Sequence, residues 1–195
     1  NALTRLSCLI MGLGNIAHKQ VIKGLVFLLC EIGYFWFLFK PYGGEYWISK
    51  LPSLGDAKQV KVWNEAKGVF EYTAGDNSQL ILLYAIAALF VTVVFIFAWM
   101  MTVKSAYQVQ CQTASGEHVN SFAEDIKTLF DRNIHALLMF LPVAFLMVFT
   151  VLPLIYMMSM AFTNYSKSGN HLILFKWVGF KNFINVLSFK SNIGQ

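Results

Sequence analysis

Charged side chains are scarce in this sequence. Asp, Glu, Lys and Arg make up 13% of its 195 residues, while 57% are hydrophobic. A soluble domain carries about 25% charged residues. A chain with so little charge cannot cover a globule of this size with charged groups, which disfavours an ordinary soluble domain and a disordered chain. The 15 basic residues form no stripe, which disfavours a nucleic-acid interface.

Cysteines and the short motifs of common chemistry are also rare. Cys8, Cys30 and Cys111 are far apart and odd in number, which indicates free thiols. The histidines lack metal-binding spacing, and neither a phosphate-binding loop nor G-x-S-x-G occurs. Residues 12–17 match G-x-G-x-x-A, but an apolar run follows where a βαβ unit should be, so we interpret the glycines as a flexible join or a close helix contact. The sequence predicts no metal or catalytic site.

Long apolar stretches are what the sequence does contain. Residues 80–103 and 136–162 contain no charged residue, and residues 24–39 contain one, Glu31. About 20 apolar residues cross a bilayer, and the first stretch reaches that length when it is counted back to Val21. Buried soluble helices are the alternative, which two charge-free runs of this length disfavour. We therefore predict an all-α integral membrane protein with three transmembrane helices at these positions, plus amphipathic interfacial helices.

The segments between the predicted spans carry signals of their own. In residues 40–79, two β-prone runs on either side of residues 64–68 predict a small hairpin. In residues 104–135, Ser121 and Glu124 form a capping box before an amphipathic helix. We expect this helix to lie along the membrane or against a partner, with its charged residues on a solvated face.

A second amphipathic helix follows Gly179. Its apolar residues recur at helical spacing, and polar residues occupy the other side. Aromatic residues favour the water–lipid boundary, so we predict a helix that lies flat at this interface. The apolar side is predicted to hold Phe180, Phe183, Ile184 and Leu187, and the polar side Lys181, Asn182, Asn185 and Ser188.

Three residues within the predicted spans are unusual there. Glu31 is either a proton or cation carrier or the partner in a structural hydrogen bond to another helix. The second interpretation is favoured because no other charge lies within a span. Pro142 is expected in the first turns of the third helix at little cost, whereas Pro153 lies deeper and predicts a kink.

The third predicted helix and the residues after it carry a family resemblance. The sequence reads LP at 141–142, LPL at 152–154, AFTNYS at 161–166 and WVGFKNF at 177–183. This order resembles the start of the core of binding-protein-dependent ABC sugar permeases of the maltose type. MGLGN at 11–15 and GDNS at 75–78 are similar to the N-terminal extension of oligosaccharide permeases. The residues singled out with Glu31 are Pro142, Pro153, Phe162, Thr163, Asn164, Gly179, Asn182 and Phe183.

The resemblance implies an orientation that the even distribution of Lys and Arg leaves undecided. It places a tail of residues 1–23 and residues 104–135 in the cytoplasm, and residues 40–79 outside. Residues 163–195 become an extracellular interfacial segment truncated before the next helix. The insert at 167–176 is too short for a large extracellular domain, and no E-A-A loop for coupling to an ATPase occurs. We therefore expect the N-terminal portion of a permease.

The resemblance also implies a function. It predicts a permease subunit of an ATP-driven sugar or oligosaccharide importer in the plasma membrane, not an enzyme. The implied partners are a second permease, two ATPase subunits that use the ATP, an extracellular sugar-binding protein, the sugar and the bilayer, with no cofactor in this chain. The alternative is a non-transport membrane scaffold or assembly subunit. An intramembrane enzyme is disfavoured because Glu31 has no second catalytic group within the spans.

Overall fold

The structure is a computed structural model that describes residues 2–58, 60–65, 67–72, 75–166 and 173–188. It divides into two compact units, Asn1–Gly43 with Phe90–Met147, and Gly44–Leu89 with Val148–Gln195. Three helical segments are long and apolar enough to cross a membrane: Val21–Phe39, Ser78–Ser115 and Ile134–Met160. The predicted helical membrane class with three spans is confirmed.

The first unit begins with two short helices, α1 (Ala2–Leu6) and α2 (Leu13–Ala17), which precede α3 (Val21–Phe39). The residues expected to form a tail are therefore folded. Glycines allow α2 to approach α3 closely, since a Cβ atom on Gly24 would lie 2.6 Å from the carbonyl oxygen of Gly12. Gly12 has a φ of 86°, which favours glycine. The expected close helix contact is confirmed.

Helix α5 (Ser78–Ser115) is longer than the span predicted at residues 80–103. Residues 104–115 contain neither glycine nor proline, so nothing ends the helix before Gly116, which has a φ of 71°. The N–H of Glu117 donates to the carbonyl of Gln112 at 3.0 Å, as in a Schellman motif. The polar stretch after the predicted span is thus helical for three further turns.

Helix α6 (Phe122–Asp131) begins with the predicted capping box. The N–H of Ser121 donates to Oε2 of Glu124 at 2.7 Å, and the N–H of Glu124 donates to Oγ of Ser121 at 3.4 Å. The charged side is not wholly solvated as expected, because Nζ of Lys23 on α3 contacts Oδ2 of Asp125 at 2.7 Å. This ion pair links α6 to the start of α3.

The third candidate span is not one uniform helix. It consists of α7 (Ile134–Leu146), a π-helical turn at Met147–Val151 and α8 (Leu152–Met160). Because α7 begins at Ile134, Pro142 lies in its interior, and the expectation that it occupies the first turns is wrong. Pro153 is the second residue of α8, which follows the π turn directly. Pro153 has no N–H and its ring crowds the preceding turn, which the wider π geometry accommodates.

The second unit contains the predicted hairpin. Helix α4 (Gly44–Lys50) precedes strands β1 (Lys61–Asn64) and β2 (Val69–Tyr72), which pair antiparallel. Helix α9 (Lys181–Leu187) is the last described element. The hydrophobic core of this unit joins the start of α5 to Phe175, which lies two residues before the WVGFKNF motif. Its buried members are Leu54, Ile81, Leu82, Ile86 and Phe175, against which Leu152, Tyr156 and Met160 of α8 pack.

Candidate functional site: the junction after the third span

The C-terminal end of α8 needs hydrogen-bond partners. A helix leaves its last four carbonyl groups without a partner inside the helix. Some of them are bonded locally, since the N–H of Phe162 donates to Ser159 at 3.1 Å and that of Thr163 donates to Met160 at 3.0 Å. The carbonyl groups of Ala161, Phe162 and Thr163 come next in the chain.

Residues 178–182 supply the missing donors. The N–H groups of Val178 and Gly179 both donate to the carbonyl of Phe162, at 2.9 and 3.1 Å. Nδ2 of Asn182 donates to the carbonyls of Ala161 and Thr163, at 2.9 and 2.8 Å. We call residues 161–164 and 176–183 together the clasp, because the second segment caps the helix end formed by the first.

Asn164 holds the two segments of the clasp side by side. Its N–H donates to the carbonyl of Lys176 at 3.0 Å, and its Oδ1 accepts the N–H of Lys176 at 2.6 Å. Thr163, which is only 2% exposed, forms an isolated antiparallel bridge with Trp177. The AFTNY turn and the chain before Gly179 therefore pair as two short extended segments.

Contacts between aromatic rings also join the two segments of the clasp. The ring of Phe162 lies 5.4 Å from that of Phe180 in an edge-to-face arrangement, and 5.2 Å from that of Phe183. Such pairs contribute about 0.5–1.5 kcal/mol beyond their burial. Gly179 has a φ of 59°, so the turn into α9 requires a residue that adopts this backbone conformation easily.

The clasp is anchored to the other elements of its unit. Oγ of Ser78, at the start of α5, donates to the carbonyl of Phe175 at 2.9 Å and accepts its N–H at 3.1 Å. Nε1 of Trp177 donates to the carbonyl of Leu51 at 2.7 Å, and Nζ of Lys176 contacts Oδ1 of Asp56 at 2.8 Å. The end of the third span, the start of the second and the chain after α4 are thus joined.

The structure brings together six of the residues singled out in the sequence: Phe162, Thr163, Asn164, Gly179, Asn182 and Phe183. Asn182 is exposed, as expected for the polar side of the helix, and it also donates to two carbonyls, which helical periodicity does not predict. Sequence reasoning missed Phe175 and the role of Ser78 as its partner. The available signal was the GDNS turn that starts the second span. Residues 167–172 of the short insert, and residues 189–195, lie outside the described residues.

The other singled-out residues lie outside the clasp. Pro142 and Pro153 belong to the third span, as described above. Glu31 lies within α3, where its Oε2 accepts the N–H of Met11 at 2.9 Å. The expected structural hydrogen bond is present, although its donor is the backbone of the turn between α1 and α2 rather than another spanning helix.

Comparison with known proteins finds relatives that match most of the chain. The chain is 30% identical over 182 residues to the maltodextrin transport system permease protein MdxF of Bacillus subtilis (strain 168), covering 91% of the chain and 38% of that protein. It is also 27% identical over 187 residues to the galactooligosaccharides transport system permease protein GanP of the same strain, covering 92% and 39%. The chain is homologous to the N-terminal part of maltodextrin-type ABC sugar permeases.

A third relative gives the same result for this permease segment. The maltodextrin transport system permease protein MalC of Streptococcus pneumoniae serotype 4 (strain ATCC BAA-334 / TIGR4) is 30% identical over 198 residues, covering 96% of the chain and 40% of that protein. The segment spans about two fifths of the length of these relatives. No protein-family model matches it, and no solved structure does. The resemblance stated from the motifs is confirmed, and the relatives are named as transport permeases rather than enzymes.

Proposed function

We propose that the full-length protein is a permease subunit of an ATP-driven importer of sugars or oligosaccharides, located in the plasma membrane. The homology over 91% of the chain carries this proposal, because the matched protein is named a maltodextrin transport system permease. Maltodextrins are the proposed substrates. The segment contributes three membrane-spanning helices and performs no chemistry on the sugar.

The proposed partners follow from the same family assignment. A second permease subunit completes the membrane pathway, two ATPase subunits bind and hydrolyse ATP, and an extracellular sugar-binding protein delivers the substrate. The sequence carries no phosphate-binding loop, which agrees with ATP use by separate subunits. In this arrangement the clasp and its anchors hold the end of the third span in place while the pathway opens and closes.

The proposed orientation places residues 1–23 and the segment around α6 on the cytoplasmic side of the membrane, and residues 40–79 and the clasp outside. Single cysteines test it in a variant without Cys8, Cys30 and Cys111. Lys58→Cys and Ser115→Cys are both exposed positions. We expect an impermeant thiol reagent on intact cells to label the first and not the second. The reverse pattern would invert the proposed orientation.

An uptake assay tests the transport function. The full-length protein would be expressed with its operon partners in cells that lack their own maltodextrin permease, and uptake of radiolabelled maltotriose would be measured. We expect uptake that unlabelled maltotetraose suppresses and that stops when the ATPase lysine of the phosphate-binding loop is replaced. Absence of uptake of maltotriose and of galactooligosaccharides, with normal insertion and assembly, would contradict the transport function and support a scaffold.

A further inference from the structure

The turn between α1 and α2 lies beside the apolar parts of two candidate spans. On one side, Met11 bonds to Glu31, which is eight residues beyond Lys23 in α3, or about 12 Å at 1.5 Å per residue. On the other side, Nε1 of Trp99 in α5 donates to the carbonyl of Cys8 at 3.0 Å. Trp99 belongs to the charge-free run that ends before Lys104. Both contacts place this turn within the apolar length of the helices, not at their ends.

Several backbone groups of this turn have hydrogen-bond partners. An unpaired N–H or C=O group there costs several kcal/mol, so irregular backbone is tolerated only where other groups bond to it. Local bonds join Cys8 to Arg5 at 3.1 Å, and both Leu9 and Ile10 to Leu6 at 2.9 Å.

Side chains supply three further hydrogen bonds to the backbone of the turn and of α2. Oγ of Ser7 accepts the N–H of Gly14 at the start of α2. The carboxyl of Glu31 accepts the N–H of Met11, and the indole N–H of Trp99 donates to the carbonyl of Cys8. Among the described residues, these two backbone groups have no local hydrogen bond. Glu31 in the first span thus has a structural role, as a hydrogen-bond acceptor, that does not involve carrying a proton or cation.

The outer side of the same turn is apolar. Ser7, Met11 and Asn15 are fully buried on the inner side. On the outer side, the exposed fractions are 74% for Leu9, 43% for Leu6 and 37% for Ile10. Arg5 is the one charged residue among residues 2–17, and its long side chain can reach the headgroup region from a buried backbone.

We propose that residues 2–17 form a re-entrant element in the membrane leaflet where α3 begins. In this arrangement Leu6, Leu9 and Ile10 contact lipid acyl chains. Lipid is the occupant because the turn is bonded to residues inside the apolar runs of two spans, and acyl chains surround those runs. Glu31 is the positioning residue that holds the turn at this depth. The inference rests on the spanning helices and is independent of the transported solute.

Spin-label accessibility tests this proposal in the full-length protein, reconstituted in phospholipid nanodiscs without its native cysteines. One label is placed by Leu9→Cys, and a control label by Lys19→Cys, which lies in the same N-terminal segment and is exposed. Oxygen concentrates in hydrocarbon, and a nickel chelate stays in water. We expect oxygen to dominate relaxation at position 9 and the chelate to dominate at position 19.

Two results would overturn the proposal. Equal access of the nickel chelate to both labels would mean that the segment is an aqueous tail. Exclusion of both oxygen and the chelate from position 9 would mean that protein, rather than lipid, covers the turn.

Variants of Glu31 test its positioning role on the same labelled protein. The side-chain oxygen of Glu31→Gln still accepts the N–H of Met11, while Glu31→Leu offers no acceptor. We expect the leucine variant to raise chelate access at position 9 at least about fivefold, which is the population change for a bond of about 1 kcal/mol. The glutamine variant should leave access unchanged. Equal access in the two variants would show that Glu31 does not hold the turn.

Discussion

The turn at residues 7–12 and the clasp meet the same physical requirement in different ways. Each interrupts regular helix next to an apolar span, and each leaves backbone groups that need partners. In the clasp, three bonds join backbone groups of the two segments, and the side chains of Asn164 and Asn182 make three more within the same two segments. In the turn, two of the partners are side chains of other helices, Glu31 and Trp99.

This difference determines what substitution can do to each region. Backbone pairing survives most side-chain changes. Substitutions should therefore open the clasp only at Gly179, at its two asparagines and at its packed aromatic rings. The turn depends on particular side chains and on the glycine contact between α2 and α3. The turn should therefore be the more sensitive region, and the following variants compare the two.

The largest effect is expected from Gly24→Ala in α3. The added Cβ would lie 2.6 Å from the carbonyl oxygen of Gly12 and would also overlap Ile16, so α2 must move away. Overpacking of this kind costs about 1–3 kcal/mol. We expect a lower apparent melting temperature in detergent, followed by intrinsic fluorescence.

Gly33→Ala is the matched control in the same helix. No atom lies within 4 Å of a Cβ added at Gly33, and alanine favours helix by about 1 kcal/mol over glycine. We expect unchanged or higher stability. A similar loss in both variants would show that the contact with Gly12 does not limit the stability of this region.

Phe183→Asp should have the next largest effect, because it places a carboxylate against the ring of Phe162. Phe183 is 40% exposed, so loss of its ring contact and of the apolar area that it does bury should cost about 2 kcal/mol. We expect reduced assembly of the full transporter, measured by co-purification of its subunits. Asn185→Asp is the control on the same helix, and equal losses would show that the ring contact is not what matters.

Asn182→Ala should have a smaller effect confined to the clasp. It removes two donors from the carbonyls of Ala161 and Thr163, at a cost of about 1–2 kcal/mol where water does not replace them. Amide hydrogen exchange at Val178 and Gly179 measures the opening of the clasp. We expect faster exchange than in Asn185→Ala, whereas unchanged exchange would mean that backbone pairing suffices.

The smallest effect is expected from low pH, which protonates Glu124 at the start of α6. The hydrogen bond from the N–H of Ser121, together with the contact to His118, lowers the pKa of Glu124 below its usual value. A lowered pKa means that the carboxylate stabilises the folded cap above its ordinary pKa, and that this contribution is lost as the pH falls through the lowered value. We expect the amide resonances of Ser121 and Glu124 to shift together below about pH 4.5. The Ser121 shift should be absent in Glu124→Gln.

Much of this fold follows from local sequence patterns. The three spans follow from the lack of charge over about 20 residues, and the hairpin and the capping box follow from short local signals. The clasp was predictable in part because its two motifs already stand close together in the chain. The hydrogen bonds of Asn182 were not predictable, since helical periodicity alone assigns Asn182 to the solvated side.

The remaining features depend on pairings that no local pattern encodes. The bond between Trp99 and Cys8 joins residues 91 positions apart, and that between Glu31 and Met11 joins residues 20 positions apart. The sequence predicts that Glu31 needs a hydrogen bond, but not that a turn of the preceding segment provides it. The place of Pro142 depended on where α7 begins, and helix boundaries are the least certain part of sequence reasoning.

The bond between Ser78 and Phe175 sets an order of events during synthesis. The two residues are 97 positions apart, and a ribosome adds about 5–20 residues per second. The first turn of the second span is therefore made about 5–20 seconds before its partner. The second and third spans must both have been synthesised before this bond can form, so the start of the second span waits for its partner until the third span is complete.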